Sequence, residues 1–238
     1  MSIIVTQDRD EVITKLTQLI AHTANVSIEK NGTFYLGVSG GSVATFLSIG
    51  LPKITTDFEK WKIFFCDERL VPVDNPDSTF GFYKKHLIGA SNIALKESNF
   101  VQVLQGVTAT EAASDYARKI AECFPNNDPK FDMLLLGMGP DGHTCSLFPG
   151  HPLSEDTTRL VAAITDSPKP PAERITMTFR VINKAKNCVF AMCGKEKADM
   201  VKRILVDKED LPSTRVKPTS GELFWIVDKE AAQFLDNN

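Results

Sequence analysis

The 238-residue chain has no apolar run approaching the length of a membrane-spanning helix, no basic leader at its start and no block of Lys or Arg. These absences set aside a bilayer span, a targeting segment and the electrostatic footprint of a nucleic-acid or anionic-membrane binder. A cytoplasmic protein is expected. Cysteine is sparse and odd in number, five in all, with no Cys-x-x-Cys. Cys66, Cys123, Cys188 and Cys193 lie in or beside apolar runs and read as reduced core residues. Histidine occurs only at 22, 86, 143 and 151, none at a ligand spacing with a cysteine, so no metal and no other cofactor is expected. With 42% hydrophobic and 24% charged residues the chain can bury a sizeable core, expected as one α/β domain over residues 1–238. A net charge of −3 without patches points to small-molecule partners, and to a monomer or small homo-oligomer.

What is present is an alternation of apolar runs and helical periods. Residues 8–30 carry Val12, Ile13, Leu16, Leu19 and Ile20 on one helical face, with Gly32 just past the end. Apolar runs follow at Thr33–Val38, Trp61–Cys66, Phe100–Leu104 and Phe131–Leu136, interleaved with helices near 42–50, 78–87 and 109–124. Runs without polar alternation indicate strands buried on both faces, and their alternation with helices indicates an open, mainly parallel sheet. The second half predicts strands at Arg174–Phe179, Cys188–Met192 and Leu223–Val227, and helices at Lys195–Val206 and Asp228–Leu235. Ser-Pro-Lys-Pro-Pro at 167–171 is an extended loop.

The run ending at Leu136 leads into Gly137-Met-Gly-Pro-Asp-Gly142, a Gly-x-Gly-x-x-Gly. A dinucleotide turn needs a helix after the glycines and a second strand ending in an acid. Here Pro149, Gly150 and Pro152 leave room for about one helical turn, and no such acid follows. The motif is read instead as a loop that presents His143.

Two other strand ends carry polar turns, Ser39-Gly-Gly-Ser42 and Asp67-Glu-Arg69. In an open parallel sheet the carboxyl ends of the strands share one edge, so these turns can form a single site with His143. Gly40, Gly41 and Ser42 precede a helix whose free N–H groups can cradle a phosphate monoester, or they are simply a tight capped turn. Arg69 on the same edge favours phosphate. Asp67 can orient a histidine, and His143 can serve as a general base near neutral pH. A rival lies in Gly37-Val-Ser39-Gly-Gly41, which matches Gly-x-Ser-x-Gly, with Ser39, Asp67 and His143 in the chain order of α/β-hydrolases. Against it, only a helix and at most one short strand precede Ser39, too little to supply an oxyanion loop.

With these turns in view the chain resembles the 6-phosphogluconolactonases of the wider glucosamine-6-phosphate isomerase/deaminase group. The resemblance runs from the first helix to Ala232 and rests on Ser39-Gly-Gly-Ser42, Asp67-Glu-Arg-Leu-Val-Pro72, Gly137-x-Gly-x-Asp-Gly-His143 with Ser146-Leu-Phe-Pro149, and Ser167-Pro-Lys-Pro-Pro171 with Arg174-Ile-Thr-Met-Thr178. Gly194-Lys-Glu-Lys-Ala198, Leu211-Pro-Ser, Val216-x-Pro218, Trp225 and Asp228 extend it. Cys145 stands where the family usually has Ala. The resemblance implies a Rossmann-like three-layer αβα fold of the sugar isomerase/CoA transferase type. It also implies hydrolysis of 6-phospho-D-glucono-1,5-lactone, in the oxidative pentose phosphate pathway, without metal or nucleotide. In that reading His143 is the acid/base, Asp67 orients or supports it, and the Gly40, Gly41 and Ser42 turn, Arg69, Lys197 and Arg174 bind phosphate or developing negative charge.

Overall fold

In the computed structural model, which describes residues 1–88 and 93–235, helix α1 (Arg9–Asn31) begins where the Asp8 carboxylate accepts the Glu11 N–H at 3.0 Å. It ends at Gly32, whose φ of 76° lets its N–H close on the Ile28 carbonyl. Val12, Leu16, Ile20 and Ala24 recur every fourth position and are fully buried, which fixes the face that α1 lays on the sheet. Strands β1 (Ser2–Thr6), β2 (Phe34–Val38), β3 (Trp61–Phe65), β5 (Met133–Leu136), β8 (Asn187–Met192) and β9 (Glu222–Asp228) form one sheet in the order β1-β9-β8-β5-β2-β3. Every pairing in it is parallel. The central strands are buried except at Tyr35 and Asn187, which are half-buried, as a parallel sheet covered by helices requires.

A second sheet stands at the carboxyl edge of the first. Strands β4 (Asp67–Arg69), β6 (Val161–Ile164) and β7 (Arg174–Met177) pair antiparallel in the order β4-β7-β6. Cys66 joins the two sheets, its N–H donating to Val38 O and its carbonyl accepting from the Met177 N–H, each at 2.8 Å. Helices α2 (Ser42–Gly50), α3 (Thr79–Tyr83), α4 (Ala109–Glu122), α5 (Phe179–Ile182) and α6 (Ala198–Leu205) surround this frame. Thr108 and Glu111 close a reciprocal capping box on α4, and the buried Tyr116 hydroxyl of α4 accepts the Phe65 N–H at 2.6 Å.

Several expected elements come out differently. Phe100–Leu104 is not a strand: Phe100 makes one bridge to Ile63, after which the Gln102 carbonyl accepts from Lys119 Nζ at 3.0 Å and Leu104 turns to solvent. Asp228–Leu235 is not a helix. Strand β9 runs to Asp228, paired with Thr6, and successive turns follow because the Asp228 carboxylate takes the Ala231 and Gly194 N–H groups. The strand expected over Arg174–Phe179 stops at Met177 and belongs to the antiparallel sheet, with Phe179 opening α5. The helix expected over Lys195–Val206 is a 3-10 turn followed by α6, and that over 78–87 is α3 followed by a π turn. Strand β6 was absent from the sequence reading, although Val-Ala-Ala-Ile is an apolar run of strand length.

Candidate active site

The turns after β2, β3, β5 and β8 meet at the carboxyl edge of the parallel sheet, where open α/β sheets bind ligands. His143, Asp67, Gly40, Gly41, Ser42, Arg69 and Lys197 line one cleft of about 200 Å³ there. Past Ser42 and Lys197 it opens into a further hollow of about 370 Å³ beside Arg9 and Glu196. A larger hollow of about 860 Å³ lies elsewhere, over Val73, Phe82 and His86, and contains none of these groups.

The anion side of the cleft is built by backbone. Gly41 adopts a φ of 63° and places Ser42 at the start of α2, whose first turn has neither a side-chain cap nor an acidic residue. Its N–H groups therefore face the cleft uncompensated, with the positive end of the helix dipole behind them. Gly40 is pinned from outside, since a Cβ there would sit 3.1 Å from Thr79 Oγ1. Lys197 donates to the Met138 carbonyl at 3.0 Å, which ties its ammonium to the glycine loop after β5.

Asp67, Glu68 and Arg69 were expected as a turn and are strand β4, and the strand period explains their division of labour. Asp67 and Arg69 point to the cleft face, while Glu68 points away and is 1% exposed. The Glu68 carboxylate accepts the Arg69, Thr79 and Phe80 N–H groups, each at 2.8 Å, and so caps α3. Burial nevertheless pushes its pKa above the ordinary glutamate value. Arg69 donates through Nη1 to the Asp77 carbonyl at 3.0 Å and has a buried Nε–H without a partner. That orphaned donor, like the partnerless Ser39 hydroxyl across the cleft, fits a site that awaits a polar ligand.

His143 is held by a carboxylate, but not by Asp67. Its Nδ1 lies 2.5 Å from Asp141 Oδ1, whereas Asp67 Oδ2 accepts the Ser146 hydroxyl at 2.8 Å. The orienting role expected of Asp67 is thus occupied by Asp141, two residues away on the same loop. Asp67 acts on the ring only through space, raising its pKa slightly. With Nδ1 committed, Nε2 is the ring nitrogen without a protein partner among the described residues. Burial is the largest influence on the ring and lowers its pKa below the ordinary histidine value; Asp141 opposes this and Lys169 adds to it. Burial also works against the Asp141 charge, but hydrogen bonds from His143 and Lys169 outweigh it and hold that carboxyl below the usual range.

The glycines of the loop after β5 make room for the His143 ring. A Cβ on Gly139 would fall 2.0 Å from His143 Cε1 and 2.1 Å from Nδ1, so the ring occupies the space of the missing side chain. The same turn closes through Gly139 N–H to the His143 carbonyl at 2.9 Å and Gly142, at φ 80°, to the Gly139 carbonyl at 3.0 Å. Gly139→Ala is expected to displace the imidazole and lower kcat by about 10²-fold with little change in thermal stability. A variant with near-native kcat would refute this account of the glycine.

Arg174 does not line the cleft. It is 3% exposed and donates to the carbonyls of Lys169, Pro170 and Pro171, each at 2.9 Å, with a longer contact of 3.4 Å to Ser146 Oγ. The expected phosphate ligand is instead a latch under the proline loop, because a loop rich in proline has carbonyls to satisfy and few N–H groups nearby. Sequence reasoning missed Asp141, Ser146 and Lys169. Asp141 stands in Pro-Asp-Gly-His, two residues before the histidine it holds. Cys145 lines the cleft, and its hydrogen bond with Cys66 and its burial push its thiol well above the ordinary value. Among the described residues no cluster of His, Cys, Asp and Glu is arranged to hold a metal, and no helix is long and apolar enough to cross a membrane.

The family model described as glucosamine-6-phosphate isomerases/6-phosphogluconolactonase matches residues 7–225. The chain is 45% identical over 233 residues to 6-phosphogluconolactonase of Rattus norvegicus, covering 94% of this chain and 90% of the relative. To that of Homo sapiens it is 43% identical, covering 92% and 88%. Among solved structures, 6-phosphogluconolactonase from Trypanosoma cruzi superposes with a TM-score of 0.82 at 27% identity, covering 99% and 97% of the two chains.

Proposed function

Because the chain belongs to the family of glucosamine-6-phosphate isomerases and 6-phosphogluconolactonases, we propose that it hydrolyses 6-phospho-D-glucono-1,5-lactone to 6-phospho-D-gluconate, with His143 as the proton carrier. The activity belongs to the oxidative pentose phosphate pathway, and the five free thiols suit a reducing, cytoplasmic setting. The observation that carries the reading is a largely buried imidazole, held through Nδ1 by Asp141, in the same cleft as an uncapped helix start, Arg69 and Lys197.

The chemistry follows from that arrangement. Nδ1 carries its proton toward Asp141, so Nε2 is the basic nitrogen and accepts a proton from the water that attacks the lactone carbonyl. The tetrahedral oxyanion collapses, the bond from C1 to the ring oxygen breaks, and the imidazolium returns the proton to that oxygen. The resulting acid ionises to gluconate and releases one proton to solvent. The phosphate dianion binds to the N–H groups at Gly41 and Ser42 with Lys197 and Arg69, which orients the lactone toward His143.

A serine nucleophile is the second reading, since the Ser39 hydroxyl lies in the cleft. It has no hydrogen-bond partner, His143 included, so the base that must activate a nucleophile is not engaged. Ser39→Ala is expected to retain kcat within about tenfold, the worth of one hydrogen bond. A nucleophile would lose about 10⁴-fold or more, and such a loss, or a covalent organophosphate adduct on Ser39, would overturn the histidine reading. The direct test is hydrolysis coupled to 6-phosphogluconate oxidation: turnover no faster than the spontaneous reaction would leave only a sugar-phosphate sensor.

A further inference from the structure

The Lys169 ammonium sits 3.1 Å from Asp141 Oδ1 and 3.3 Å from His143 Nδ1, on the side of the ring away from the free Nε2. We propose that Lys169 is a positioning residue for the hydrolysis: it holds Asp141 ionised and in place and keeps His143 uncharged between turnovers. The proposal rests on the assignment of His143 as the base.

The lysine arrives there by construction. Ser167 donates its hydroxyl to the Lys169 carbonyl at 2.8 Å and accepts the Lys169 N–H at 3.3 Å, while the buried Arg174 guanidinium holds the carbonyls of residues 169 to 171. The backbone of the loop is thereby fixed without help from the Lys169 side chain. That side chain is 35% exposed, yet it spends its reach on an inward carboxylate rather than on solvent.

A cation beside a catalytic base is at first sight a poor arrangement. It answers a problem set by Asp141. A carboxylate 2.5 Å from Nδ1 orients the ring but also stabilises the imidazolium, and a ring already protonated near neutral pH cannot take a proton from water. The Lys169 charge opposes the imidazolium from nearly the same distance, while its hydrogen bond leaves the Asp141 geometry intact. The same opposition makes the imidazolium a stronger acid when it must return the proton to the ring oxygen. The charged groups facing His143 are Asp141 on its own loop, Lys169 on the proline loop and Asp67 on β4, with Arg69 and Lys197 farther along the cleft wall. Phe148, with ring centroids 4.7 Å apart, covers it with a neutral surface. Among the described residues Lys169 is thus the cation that acts most strongly on the ring.

The test is Lys169→Met in the full chain, with Lys169→Arg as the charge-preserving control and Lys169→Gln as a second neutral variant should the first fail to fold. Removing the cation is expected to move the acid limb of kcat/KM up by about one pH unit. Activity at pH 6 then falls severalfold more than activity at pH 8.5, and Lys169→Arg keeps the native profile. The His143 imidazole, followed by NMR in the substrate-free protein, shifts its titration midpoint upward by the same amount. A uniform loss at all pH values with an unmoved titration midpoint overturns the proposal and leaves the lysine a structural tie. Because the titration needs no turnover, it separates this outcome from failure of the lactonase reading, which appears as inactivity of the native protein.

Discussion

Replacing His143 with alanine is expected to lower kcat for lactone hydrolysis by about 10²–10⁴-fold, the usual worth of a positioned general base. Affinity for 6-phosphogluconate should stay within a few-fold. The separation follows from the layout of the cleft: the proposed anion contacts come from the turn after β2, from β4 and from the segment after β8, and none passes through the imidazole. Coupled assays give the first quantity and calorimetry with the product gives the second. With His143 as the proposed base, kcat/KM is expected on a plateau at high pH and lost as pH falls through the ring's pKa. Burial lowers that value, so the decline should begin below the pH at which a solvated histidine would impose it. Substantial turnover by the alanine variant would remove His143 from the mechanism.

Asp141→Asn is expected to cost about 10²–10⁴-fold in kcat, for a reason that the geometry makes specific. If the amide nitrogen of the new side chain faces the ring, Nδ1 must present its lone pair, the proton moves to Nε2 and the basic nitrogen points away from substrate. If the amide oxygen faces the ring the tautomer survives, but the imidazolium formed in the reaction loses its counter-charge while Lys169 remains 3.3 Å away. Both orientations disable the same step. Asp67→Asn is the informative companion, because Asp67 meets Ser146 and not the ring, and its loss should be about tenfold or less. A larger penalty at 67 than at 141 would return the orienting role to Asp67.

Much of this was legible in the chain itself because the information is local. Apolar runs ending in glycine or charge mark the strand ends, and a parallel sheet collects such ends on one edge; this located His143, Arg69 and the Ser39-Gly-Gly-Ser42 turn without coordinates, whereas Lys197 came only from the family resemblance. What failed was non-local or depended on side-chain direction. Asp67 and Asp141 are both acids near a strand end, and only the path of the chain through Gly139 and Gly142 decides which one reaches Nδ1. Arg174 carries the charge of a ligand, but its depth beneath residues 169 to 171 could not be read from residue type. The antiparallel sheet escaped notice for a similar reason: β4 is three residues long and acquires its identity only through pairing with β7, more than a hundred residues later.

The Arg174 latch has a consequence for how substrate is received. A guanidinium that is 3% exposed and committed to three carbonyls cannot release the proline loop without stranding a desolvated cation, so loop opening is coupled to a large part of the local fold. The backbone that carries Lys169 is therefore set when the protein folds, and a ligand entering the cleft has little of that loop left to order.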